Sequence, residues 1–312
     1  LQTFENPDTR TTYSRVLSRA QRLENYYNKD LYNFNRDEIG EVLTLLRPKN
    51  LATSRLNGYI IHSYITWAIR EGYRQNNINP LDNIDTDYYM QFVDKTKEIL
   101  FHEDKIYKIV SKCKNGQDQA PIMLLFEGAF GTEFSELLNL KTEDVDIENR
   151  ILRLQDKDGT ERYLQVSDRC IDAIRKAISE TEYLKRNGEV KKEAKVKIAN
   201  LVENDYVLRP SKTNSKGDGR ADNYLILRRL DMLKKVLDIP YFTAINIRNS
   251  GMLKMAKDLY YERGKLEKEE LDDIAEKFNI SIISNKEGQR DYNYYQYKQE
   301  FLNIETIKRI YG

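Results

Sequence analysis

Gly128-Ala129-Phe130-Gly131-Thr132-Glu133-Phe134-Ser135-Glu136-Leu137-Leu138-Asn139-Leu140, with Glu143-Asp144-Val145 just beyond, decides how the second half of the chain is read. Apolar residues crowd both sides of a break marked by two glycines. Glycine tolerates backbone conformations that other residues resist, so it punctuates helices. The spacing predicts two buried helices, Pro121 to Phe130 and Ser135 to Leu140, separated by Gly128 and Gly131.

Downstream, Arg150 to Gln155 and Arg162 to Val166 alternate polar and apolar residues around Asp156-Lys157-Asp158-Gly159-Thr160, which predicts a β-hairpin. Ser167 is placed to cap a helix over Cys170 to Leu184, and a charged stretch runs on through Lys197. Tyr206-Val207-Leu208 reads as a short strand and Ser211 to Asn223 as a mobile loop. Helices are expected over Tyr224 to Leu237, Asn246 to Tyr261 and Lys268 to Phe278, before a tyrosine-rich end.

Upstream, Thr9 through Tyr27 repeats apolar residues near every 3.6 positions. Asn35 or Asp37 can cap a second helix that Pro48 stops. Thr53-Ser54 are expected to cap a third, with Leu56, Tyr59, Ile60, Ser63, Tyr64, Trp67 and Ala68 on its buried stripe and Gly72 at its end. A fourth element covers Asp85 to Val93, and Asp94 to Lys105 reads as a linker. The expectation is a mainly α protein with a small β-sheet, in two domains, 1–98 and 99–312.

The 312 residues are 40% hydrophobic and 32% charged. No apolar run is long enough for a membrane span, and the first residues lack a secretion signal pattern. Cys113 and Cys170 form no C-x-x-C pair, which argues against a zinc site or disulfide scaffold. His62 and His102 are the only histidines, so the last two hundred residues can build no catalytic histidine. No metal and no cofactor is expected, and a reducing cytoplasm fits. The net charge of +1 hides unevenness: Tyr183 to Lys235 holds 14 Lys/Arg against 7 Asp/Glu, and Tyr261 to Asp291 holds 6 against 9. A nucleic-acid binder need only concentrate positive charge on one face.

Thr53-Ser54-Arg55, Tyr64-Ile65-Thr66-Trp67, Gly72 and Asn79-Pro80, in that order and spacing, resemble the core-binding domain of the tyrosine recombinase (phage integrase) family. The Phe130–Leu140 stretch with Glu143-Asp144-Val145, Lys157 on its hairpin, and Asp238-Ile239-Pro240 before Ile245-Asn246-Ile247-Arg248 resemble that family's catalytic domain. The resemblance implies chemistry in which a tyrosine hydroxyl attacks a DNA phosphodiester while two arginines clamp the phosphate oxygens. Here Glu133 stands at the first arginine position and Ile245 at the histidine of H-x-x-R, while Lys157 and Arg248 remain. Phe278 to Ile283 supplies neither His nor Trp, and Tyr292, Tyr294, Tyr295 and Tyr297 are the candidate nucleophiles. No strand transfer is expected from so incomplete a set, since such units fail non-additively.

The family's grip on double-stranded DNA requires no covalent step. Thr53, Ser54, Arg55, Arg70 and Arg74 are the expected contacts from the first domain. Lys157, Arg209, Lys212, Lys216, Arg220, Arg228 and Arg248 are those from the second. For each basic residue the alternative is a solvated face. For Arg248 it is an internal ion pair with Glu133 or another carboxylate, and Glu133 can equally be a first-turn helix acid. The function implied is a phage- or prophage-derived, sequence-specific DNA-binding regulator, acting in the cytoplasm of a bacterial host, with a protein antirepressor or self-association as further partners. The alternative is a divergent recombinase using Arg248, Lys157 and one C-terminal tyrosine.

Overall fold

The computed structural model describes residues 6–74, 76–94, 99–189, 196–212, 219–284 and 290–312. The chain divides into two compact units, Leu1–Lys97 and Glu98–Gly312. Helices dominate both, and no described helix is long and apolar enough to cross a membrane.

The first unit contains α1 (Pro7–Tyr27), α2 (Arg36–Leu46), α3 (Leu51–Arg70) and α4 (Thr86–Met90). Asn6 caps α1, with Pro7 where its missing N–H costs nothing. Asn35 and Glu38 form a capping box on α2. The start of α3 differs from expectation: Asn50 is the cap, accepting the Thr53 N–H at 3.0 Å and its hydroxyl at 2.6 Å. Thr53 and Ser54 therefore lie inside the helix.

The buried stripe of α3 is also rotated. Ser54, Asn57, Gly58, Ile60, Ile61, Ile65 and Ala68 face inward, whereas Leu56, Tyr59 and Trp67 are exposed. Small residues set this phase, because a Cβ at Gly58 would sit 2.2 Å from the Tyr89 ring. Ser54 completes the seam by donating to the Tyr89 carbonyl at 2.8 Å. Phe34, Ile39, Val42 and Leu43 fill the centre with Val16, Ala20 and the α3 isoleucines, each residue larger than alanine contributing about 1.5–3 kcal/mol through burial.

The second unit runs α5 (Glu103–Lys112), α6 (Gly116–Glu127), α7 (Ser135–Leu138), β1 (Val145–Asp146), β2 (Ile151–Gln155), β3 (Glu161–Gln165) and α8 (Asp168–Ser179). It continues with β4 (Glu182–Leu184), β5 (Ile198–Asn200), α9 (Tyr224–Val236), α10 (Ala244–Arg263) and α11 (Lys268–Lys277). β6 (Ile282–Ser284), β7 (Arg290–Tyr292), α12 (Tyr295–Glu300) and α13 (Ile304–Tyr311) close the chain. The hairpin falls where alternation put it: β1, β2 and β3 form an antiparallel sheet with Leu152, Leu154 and Leu164 turned inward.

α6 is buried on nearly every side, as a helix apolar all round must be. It starts at Gly116 rather than Pro121. Pro121 sits inside the helix, where its missing N–H leaves the Gln117 carbonyl without its usual partner. The Arg229 guanidinium donates to that carbonyl instead, at 2.7 Å. α10 crosses α6 at Gly251, where a Cβ would lie 1.8 Å from the Phe126 carbonyl oxygen.

Four further readings are corrected. α8 ends at Ser179 because the Glu180 carboxylate turns away to accept the Gln117 N–H at 2.9 Å, capping α6. Glu182–Leu184 then forms a strand paired with β5. Tyr206-Val207-Leu208 makes only an isolated bridge with Lys141. Within the expected linker, Leu100 and Phe101 are core residues and α5 has already begun at Glu103. Residues 213–218, in the middle of the loop expected at Ser211 to Asn223, lie outside the described residues.

Candidate nucleic-acid interface

In the first unit, the outward face of α3 carries Arg55, Tyr59, Thr66 and Arg70, all exposed. Their spacing of 4, 7 and 4 residues aligns them along one side of the helix. Arg55 makes no ion pair among the described residues, and Arg70 pairs with its neighbour Glu71 at 3.1 Å in the open. Both present charged, bidentate donors to solvent. The other expected contacts are turned inward. Thr53 and Ser54 belong to the cap and the α3–α4 seam, and Arg74 donates to the carbonyls of Tyr32 and Phe34, fastening the preceding loop.

A second basic stripe went unnoticed in the sequence. Arg15, Arg19 and Arg22 lie on one face of α1, exposed and without ion pairs among the described residues. The signal was present as arginines at positions i, i+4 and i+7, away from the buried Val16 and Ala20.

In the second unit, the turn before α7 is strained: Glu133 and Phe134 are non-glycine residues at φ 56° and 66°. Asp156 holds it, accepting the Thr132 N–H at 2.7 Å, the Lys157 N–H at 2.6 Å and the Ser135 hydroxyl. Burial opposes ionisation of Asp156, but these hydrogen bonds outweigh it and lower its pKa. Glu133 is not the first-turn acid of a regular helix, nor does it pair with Arg248. Its partner is Lys157, at 3.0 Å, both side chains more than half exposed.

Arg248 forms no internal ion pair among the described residues. Its guanidinium lies over the Phe130 ring, 5.2 Å from the centroid, and 6.0 Å from that of Phe278, whose carbonyl it donates to. It is thus held by aromatic faces and a backbone oxygen. Ile245, one turn earlier on α10, is 57% exposed and offers only hydrocarbon.

The charge pair that organises this region is Glu136 with Arg162, at 2.6 and 2.8 Å, Glu136 being 1% exposed. Sequence reading gave Glu136 no role. The tyrosines are not gathered at Lys157 or Arg248 by any contact among the described residues. Tyr292, Tyr294 and Tyr297 pack half-buried against the second core, and Tyr295 is exposed, with its hydroxyl accepting from Gln299. Burial, and the carboxylates of Asp272 and its neighbours, raise the pKa of Tyr292 and Tyr294, which disfavours the phenolate.

Of the remaining basic residues, Arg209 is buried and donates to the carbonyls of Ala177, Ile178 and Glu180. It fastens the end of α8 and faces no solvent. Arg220 donates to Asn139 at 2.9 Å, Arg228 pairs with Asp222 at 2.9 Å in the open, and Lys212 is exposed. Lys216 lies outside the described residues.

Comparison with known proteins follows this division. Residues 1–71 match the MrpR N-terminal core-binding domain and residues 100–312 the MrpR C-terminal catalytic domain. The SPbeta prophage-derived uncharacterized protein YopR of Bacillus subtilis (strain 168) is 30% identical over 301 residues, 95% of this chain and 90% of that protein. Among solved structures, XerA recombinase aligns with TM-score 0.37 and 14% identity over 89% of this chain and 94% of its own. The Tn1549 transposon integrase in complex with transposon right end DNA aligns with TM-score 0.41 and 12% identity over 92% and 93%. The chain belongs to the MrpR family, with that family's core-binding and catalytic domains in the same order.

Proposed function

We propose that this protein is a sequence-specific DNA-binding transcriptional regulator, a prophage repressor of lytic genes, that uses the family's two domains without strand-transfer chemistry. One observation carries the reading: Lys157 and Arg248 already have partners within the chain, while Arg55 stands exposed with no ion pair among the described residues. Glu133 occupies Lys157, and Arg248 is held by Phe130 and Phe278. A carboxylate within 3.0 Å of Lys157 also opposes a phosphate at the same place. The prophage origin of YopR, and the resemblance of the whole chain to the SPβ-type prophage master repressor, support the same reading. DNA is then met by the α3 face, with Arg55 toward base edges and the α1 arginines toward phosphates, in the cytoplasm of the bacterial host.

Gel shifts with fragments of the parent genome at two salt concentrations test this. A few fragments bind tightly at the higher salt if the reading holds, and indifferent binding to all fragments contradicts it. Arg55→Ala is expected to cost about 1–3 kcal/mol on the bound fragment and to relax base discrimination at one position. Uniform weakening with a shallower salt slope would assign Arg55 to phosphate only.

A further inference from the structure

Part of the positive excess between Tyr183 and Lys235 gathers at a corner that none of the sites above uses. Lys108, Lys112 and Lys114, at the end of α5 and just after it, are all exposed. Against them sits the tight turn Lys185–Gly188, in which Arg186 and Asn187 adopt left-handed φ of 52° and 54°. Asn187, 4% exposed, ties the two together: its Oδ1 accepts the Lys114 N–H at 2.6 Å and its Nδ2 donates to the Lys112 carbonyl at 3.0 Å. Asn115 and Leu184 exchange two more hydrogen bonds, at 3.0 and 2.8 Å. The Lys185 N–H donates to the Lys197 carbonyl at 3.0 Å, bringing exposed Lys197 to the same rim.

Lys108, Lys112, Lys114, Lys185, Arg186 and Lys197 therefore share one corner, and none of them makes an ion pair among the described residues. Glu182 and Glu189 flank the turn, and Asp104 and Asp238 line the same depression as Lys108 and Lys112. By contrast, Arg263 and Lys265 both reach carboxylates of α11. Folding gains nothing from packing like charges together. Two strained non-glycine residues persist only where their surroundings over-determine them, commonly at functional sites.

We infer that this corner is a sequence-independent binding surface for the phosphate backbone of duplex DNA, separate from the Lys157 and Arg248 region. It lies at the N-terminal end of α6. The carbonyl of Gly128, which Arg162 binds, marks the other end of that helix, about 18 Å away along its axis. Lysines suit this task, since each meets a phosphate as a point charge from any direction. The inference rests on the DNA reading above and adds a second contact to it.

The test is Lys108→Gln/Lys112→Gln/Lys114→Gln, titrated with a mixed-sequence 30-base-pair duplex across a salt series, with melting temperature measured alongside. Asn187 binds backbone groups, so the turn keeps its anchors in the variant. Each lost phosphate contact flattens the slope of log affinity against log salt by about 0.9, so the triple variant flattens it by about 2–3. Affinity at low salt falls roughly tenfold or more. A wild type that binds and a variant with the same slope would overturn the inference alone, leaving the corner to solvent or an acidic protein. A wild type that binds no duplex at all would overturn both this inference and the DNA reading.

Discussion

Arg162→Met is expected to lower the free energy of unfolding by about 3–5 kcal/mol, the cost of stranding one partner of a buried ion pair. The Glu136 carboxylate is 1% exposed and accepts both Arg162 donors together with the Phe130 N–H at 2.7 Å. Arg162 also donates to the carbonyls of Gly128 and Lys277, each at 2.9 Å. One side chain thus joins the end of α6, α7, β3 and the end of α11. Arg162→Lys should rescue little, because an ammonium on a flexible stem cannot serve four acceptors in this fork geometry. Urea melts of the three proteins measure the difference, and a loss below about 1 kcal/mol with an unchanged m-value would contradict it.

Arg229→Met is expected to have an effect of the same size, with a pH dependence that identifies its cause. Arg229 serves the Gln117 carbonyl that Pro121 leaves open, at 2.7 Å, and the Arg209 carbonyl at 2.8 Å. It lies 3.9 Å from Asp118, which is fully buried and also held by Tyr183 at 3.0 Å and Asn115 at 2.8 Å. Burial raises the pKa of Asp118 even with the arginine present, and losing Arg229 raises it further. A carboxyl whose folded pKa is raised contributes stability below its unfolded pKa and loses it as pH rises through the folded value. Relative to wild type, the Arg229→Met loss should therefore be smallest at acid pH, where Asp118 is protonated in both proteins, and grow toward about 3–5 kcal/mol as pH rises. Adding Asp118→Asn should flatten this dependence and recover part of the loss. A pH-independent deficit would mean that the open Gln117 carbonyl, not the stranded carboxylate, carries the cost.

Periodicity made the helices and hairpin legible, since α1, α2, β2 and β3 each bury one regular face. It failed where local chemistry is set from far away. Pro121 looked like a first-turn proline because the side chain that repairs its missing hydrogen bond, Arg229, lies 108 positions later. The α3 stripe was misphased because close approach to Tyr89 demands Ser54 and Gly58, whereas a search for large apolar residues prefers Leu56 and Tyr59. Charge in a sequence carries no direction. Arg55, Arg74 and Arg209 read alike, yet Arg55 faces solvent while Arg74 and Arg209 bind backbone carbonyls. Substitution at Glu133 and Ile245 was visible as letters, but the closure of Arg248 between Phe130 and Phe278 appears only once three distant segments meet.

The central claim, DNA binding without strand transfer, is tested most directly by trapping the protein on a nicked duplex that carries its own binding site. The protein should shift the duplex in a native gel and release it completely on denaturation, because the proposed reading leaves Glu133 and Ile245 where the chemistry needs an arginine and a histidine. A denaturation-resistant adduct that disappears when one of Tyr292, Tyr294, Tyr295 or Tyr297 is changed to phenylalanine would contradict the account and establish a recombinase.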